Sequence, residues 1–81
     1  MKSKKITISD LLPELNKMVE ILKWSKKEGE ILSRGDLLLE VLADSEIFEI
    51  ETLWSGRIVK INAFKNQVIS PQTVIAQIII T

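Results

Sequence analysis

Sliding the chain against itself by 37 positions lays residues 21–41 on residues 58–78 without a gap, and a self-similarity of this kind narrows the possible folds more than any single motif. Aliphatic residues fall on aliphatic ones at Ile21/Ile58, Leu22/Val59, Ile31/Val68, Leu32/Ile69, Leu37/Val74, Leu38/Ile75 and Val41/Ile78, while Lys23/Lys60 and Ser33/Ser70 are identical. Gly29 falls on Asn66. These are the two residue types that enter the left-handed backbone region most readily, so both halves are expected to close the same tight turn. The pattern predicts two similar halves related by a quasi-twofold axis. Residues 42–56 join them and are expected to have no counterpart in the first half.

The repeat units read as strands. Leu37 to Ala43 is an apolar run interrupted only by Glu40, and Glu46 to Thr52 alternates, with Phe48 and Ile50 on one face and Glu49 and Glu51 on the other. Ile6 and Ile8 alternate with polar neighbours, and residues 57–64 and 74–80 read as two further strands. Turn-forming clusters at Glu28-Gly29-Glu30, Arg34-Gly35-Asp36, Ser55-Gly56, Lys65-Asn66-Gln67 and Ser70-Pro71 separate them. One segment competes with this pattern. Leu11, Leu15, Met18, Val19 and Leu22 follow helical spacing after a cap at Ser9 or Asp10, which leaves an N-terminal helix open locally. Because the repeat outweighs it, the expected fold is all-β: a flattened barrel of two small sheets forming a single domain over residues 1–81. Ala43-Asp44-Ser45-Glu46 is the expected hairpin tip, polar in the middle with strand residues on both sides.

Composition limits the chemistry. The 81 residues include neither cysteine nor histidine, which excludes disulfides, thiolate nucleophiles, imidazole bases and the usual soft-metal ligands. Eleven basic residues balance eleven acidic ones, so no net field draws the chain to nucleic acid or to an anionic membrane. Lys2, Lys4 and Lys5 read as a solvated basic start, with no apolar run of signal-peptide or membrane-spanning length behind them. No nucleic-acid, membrane or metal partner is expected, and the absence of cysteine fits a reducing compartment, cytoplasmic or matrix-like. Carboxylates remain, but Asp44 and Glu46 beside an exposed tip have nothing to desolvate them, so no enzyme is expected.

Leu12-Pro13-Glu14-Leu15, Lys23-Trp24, Lys27-Glu28-Gly29-Glu30, Gly35-Asp36, Glu40-Val41, Gly56 and the Ile-rich final strand occur in the order and spacing of a known group. The chain resembles the lipoyl and biotinyl carrier domains, above all the lipoyl domains of 2-oxo acid dehydrogenase acyltransferases. The resemblance implies a barrel of two four-stranded sheets whose attachment lysine stands at a hairpin tip, within Asp-Lys-Ala in lipoyl domains or Met-Lys-Met in biotinyl ones. Asp44 fits the lipoyl form. Ser45 occupies the position of the lysine, followed by Glu46. A lysine amine forms a durable amide with an activated acyl group, whereas a serine hydroxyl gives a labile ester.

The resemblance therefore implies no bound cofactor as the chain is written, with lipoate or biotin expected only if a lysine stands at position 45. Between Pro13 and Trp24 the chain is also shorter than typical lipoyl domains, in a loop that the family uses near the tip for recognition. The partners implied are other subunits of a multienzyme complex or an acyl ligase. Two histories fit, a diverged interaction module or a true carrier altered at its attachment site. Serine after aspartate also partly resembles the phosphopantetheine site of acyl carrier proteins, but that serine opens a helix and residues 47–52 alternate like a strand. Trp24 reads as packing, and Trp54 as a lid on the core edge or an exposed anchor. By alternation Ile47 points outward, so Asp44, Glu46 and Ile47 are the expected recognition residues around Ser45.

Overall fold

In the computed structural model, which describes residues 2–81, the repeat is realised strand by strand. The elements are β1 (Lys2–Thr7), one helical turn α1 (Ile8–Leu11), β2 (Val19–Trp24), β3 (Ile31–Leu32), β4 (Leu37–Ala43), β5 (Glu46–Glu51), β6 (Gly56–Ile61), β7 (Val68–Ile69) and β8 (Val74–Ile80). Adding 37 to the bounds of β2, β3 and β4 gives those of β6, β7 and β8. Two four-stranded antiparallel sheets result, ordered β1-β8-β6-β3 and β5-β4-β2-β7. Each sheet holds strands from both halves, so neither half can close its sheet alone.

The expected turn is made twice. Gly29 and Asn66 have φ of 90° and 75°. The Gly29 N–H donates to the Ile58 carbonyl at 2.7 Å and the Asn66 N–H to the Ile21 carbonyl at 2.7 Å, so each half ties its turn to the other half's strand. Even the irregularities repeat, with register shifts between Ile21 and Lys23 and between Ile58 and Lys60.

Three local expectations are corrected. The joining segment does have a counterpart, at the start of the chain. Glu46 lies opposite Ala43 and Lys2 opposite Ile80, and Ile80 is the repeat mate of Ala43, so β5 is to one sheet what β1 is to the other. A comparison at one fixed offset misses this because the two strands stand in different chain order.

The N-terminal helix is a single turn. Its cap is Thr7, not Ser9 or Asp10: the Thr7 hydroxyl accepts from the Asp10 N–H at 3.1 Å and the Asp10 carboxylate accepts from the Thr7 N–H at 2.9 Å. Leu12 precedes Pro13, whose ring disfavours helical backbone at the residue before it, and Leu12 takes φ −142°. The apolar residues beyond then pack without helix. Leu15, Val19 and Ile21 are buried, whereas Met18 is exposed. The strand read over 57–64 ends at Ile61, because the Asn62 and Ala63 N–H groups both turn to the Ile75 carbonyl and the Phe64 N–H is taken by the Gln67 side chain.

The core lies between the sheets, where Ile6, Ile21, Val41, Ile50, Ile58 and Ile78 bury their side chains from alternate positions of five strands and β1. Trp24 packs at its margin and its Nε1 donates to the Ala63 carbonyl at 2.8 Å. Trp54 also lies half-buried against the core, with the Lys4 ammonium 5.2 Å from its ring centroid. Among the described residues no helix is long and apolar enough to cross a membrane.

Candidate functional site

A two-residue turn, Asp44-Ser45, joins β4 to β5, with φ of 54° and 64°. Positive φ at both central positions marks the type I′ connection, whose twist matches the flanking strands. Neither residue is glycine, so each Cβ meets some of the steric cost of left-handed backbone, about 1 kcal/mol. Asp44, with its short polar side chain, suits that region better than most residues. The hairpin holds because the β4–β5 ladder continues with Leu42 opposite Ile47 and Val41 opposite Phe48.

The structure places the four expected site residues together. Asp44, Ser45, Glu46 and Ile47 are all exposed, Ile47 at 60%. Ser45 takes part in no side-chain hydrogen bond among the described residues. Phe48, which alternation turns inward, is half-buried.

Sequence reading missed one residue. Lys17 reaches the tip from the loop between α1 and β2, and its Nζ donates to Asp44 Oδ2 at 2.6 Å. An amine thus stands beside the turn although none lies in the hairpin. Leu15, Lys17, Asp44, Glu46 and Phe48 line a shallow depression of about 190 Å³ where the loop meets the hairpin. The separation of 27 residues between the partners gives no local signal. The only pointer was the implied placement of that loop near the tip.

The Lys17 ammonium, by hydrogen bonding and then by charge, holds the Asp44 carboxyl below the usual carboxylate range. A lowered folded-state pKa stabilises at pH values above the unfolded one, and that contribution disappears as pH falls through the folded value. Both side chains are more than half exposed, so solvent screening leaves the pair little weight in stability. Lys17→Met is predicted to return the Asp44 titration toward its ordinary range with hardly any change in thermal midpoint. Side-chain carboxyl chemical shifts followed against pH decide it; an Asp44 titration identical in both proteins would rule the contact out in solution.

With no thiol, imidazole or lysine at the turn, the tip offers only a hydroxyl, three carboxylate or ammonium groups already in water, and an aliphatic side chain. It can contact another surface. It has no buried, activated nucleophile.

The family model described as "Biotin-requiring enzyme" matches residues 11–78. In the dihydrolipoyllysine-residue acetyltransferase component of the mitochondrial pyruvate dehydrogenase complex of Caenorhabditis elegans, 53 residues are 42% identical, covering 62% of this chain and 10% of that protein. The corresponding component from Zymomonas mobilis is 44% identical over 41 residues, covering 51% of this chain and 9% of that protein. Each match spans about a tenth of the relative's length.

Proposed function

The chain belongs to the biotin/lipoyl family, and from that premise we propose that it is a carrier-type domain of a multienzyme complex that has lost its attachment chemistry and serves unmodified as an interaction module. Its single domain takes no part in bond making. Ser45 carries the reading, an exposed hydroxyl at the two-residue turn where the family resemblance puts a lysine. An amide-linked swinging arm needs an amine at that point, and a hydroxyl would hold an acyl group only as an ester.

The relatives are named as acetyltransferase components of pyruvate dehydrogenase complexes, which supports a 2-oxo acid dehydrogenase complex as the kind of assembly and its other subunits as the partners. Asp44, Glu46 and Ile47 form the contact surface at the tip, and Lys17 fixes Asp44 within it. A cytoplasmic or matrix compartment, where such complexes work, accords with a chain that has no cysteine to oxidise.

The chain as written is predicted to keep its unmodified mass after incubation with ATP, lipoate and a lipoate ligase, and equally with biotin and a biotin ligase. An amide-linked lipoyl or biotinyl group on any of its lysines, located by tandem mass spectrometry, would overturn the reading.

A further inference from the structure

The quasi-twofold axis exchanges the two sheets, so their outer faces carry equivalent positions, and these differ in charge. On the β5-β4-β2-β7 sheet, Glu49 lies opposite Glu40, which lies opposite Lys23. The equivalent row of the other sheet is Lys5, Gln77 and Lys60. A second row runs Ile47, Leu42, Glu20, Val68 on the first face and Ser3, Ile79, Arg57, Ile31 on the second. With Glu51 added, the first face bears four carboxylates and one lysine. The strands of the second bear Lys5, Arg57 and Lys60 and no outward carboxylate. A chain of zero net charge is therefore polarised across its thickness.

Two further observations point to a partner for these faces. Glu40 and Glu49 stand directly across from each other, an arrangement that destabilises an isolated sheet. No ion pair within 4 Å engages Glu20, Glu40, Glu49 or Glu51 among the described residues. The charges also surround apolar groups. Val68 is 61% exposed on the acidic face and its repeat mate Ile31 60% on the basic one. Lys5 and Lys60 flank a shallow depression of about 320 Å³ that offers an incoming carboxylate two ammonium groups.

We propose that the chain self-associates head to tail, the acidic outer face of one copy stacking on the basic outer face of the next. Faces of opposite sign built on equivalent strand geometry are complementary in charge and alike in twist and in their apolar stripe. Each sheet, with its three longer strands of six or seven residues and one of two, offers a face of about 20 × 15 Å, below the roughly 800 Å² per partner of a standard interface, so the association is weak and concentration-dependent. Because the contact is heterologous and the two faces lie on opposite sides of the domain, stacking leaves a free face at each end and continues as an open array. This inference concerns the sheet faces and does not depend on the chemistry of the tip.

Sedimentation velocity tests it. At about 20 mM salt the average mass is expected to rise with concentration to about twice the monomer's or more, and to return to the monomer's near 0.5 M, where charges are screened beyond about 4 Å. Glu40→Lys/Glu49→Lys makes both faces basic, and Lys5→Glu/Lys60→Glu makes both acidic. Each double variant alone is expected to stay monomeric, and an equimolar mixture to associate. Should either lose its strand circular dichroism, Glu20→Arg/Glu51→Arg and Lys5→Glu/Arg57→Glu carry the same comparison. Monomers at every concentration in low salt, or a double variant that associates alone as the wild type does, would overturn the proposal.

Discussion

Gly56→Ala is expected to lower the urea midpoint drastically. Gly56 opens β6 in the interior of its sheet, opposite Ile80 on one side and Leu32 on the other. A Cβ built there overlaps the Ile79 carbonyl oxygen and lies 2.9 Å from the carbonyl carbon. Backbone held in a ladder cannot swing aside as the end of a side chain can, so β6 and β8 must part where they pair. The cost is placed at about 3 kcal/mol or more, the upper range for overpacking. A domain of this length has roughly 4–12 kcal/mol in total. Gly29→Ala is the control. Its φ is +90° but nothing lies within 4 Å of the added carbon, so only the backbone penalty of about 1 kcal/mol remains. Equal midpoints for the two variants would show that the β6–β8 approach is looser than the structure has it.

That contrast also separates what was legible in the sequence from what was not. Features that recur after 37 residues could be read, because a tight turn demands Gly29 or Asn66 and a buried strand demands aliphatic residues in both copies. β4 and β8 were read over their full length for this reason. Gly56 is where the repeat breaks, its mate being the buried Val19, and no local pattern tells that one copy needs room for a carbonyl. The segment 11–22 misled because apolar residues three and four apart suit a helix and also suit a loop that drops Leu11 and Leu15 into the core before β2 begins. Pro13 was the signal that favoured the loop. At the tip, the alternation of β5 placed Ile47 and Phe48 on their proper sides, since a period of two is local. Lys17 could not be found in this way, because its contact with Asp44 depends on how the loop folds back in three dimensions. The opposed charges of the outer faces were hidden by a net charge of zero, and only the pairing of β1 with β8 and of β5 with β4 sorts them.

Ser45→Lys is expected to be acylated nearly to completion by a lipoate ligase under conditions in which the unaltered chain is expected to keep its mass. The substitution is cheap in folding terms. Ser45 already carries a Cβ at φ 64°, so a lysine pays no more for left-handed backbone than the serine does. The exposed position leaves its chain free to extend into water. Asp44 then precedes the amine as in the lipoyl pattern, and β4 and β5 below the turn keep their ladder. In the reaction the unprotonated amine attacks the carbonyl of lipoyl adenylate, the amide forms, AMP leaves and the amine's proton passes to solvent. Biotin ligase is expected to modify the variant far less, because Asp44 and Glu46 flank the lysine where the biotinyl pattern has methionines. Lys17 supplies the internal comparison. Its amine lies next to Asp44 but is tied to it at 2.6 Å and projects from the loop, so the acyl group should appear at position 45 alone. Intact mass after incubation, followed by peptide mapping, reads all of this directly. A Ser45→Lys protein that remains folded yet refuses both ligases would mean that the surface around the tip, as well as residue 45, differs from that of a ligase substrate, and that the loop between α1 and β2 with its Lys17–Asp44 contact keeps such enzymes away.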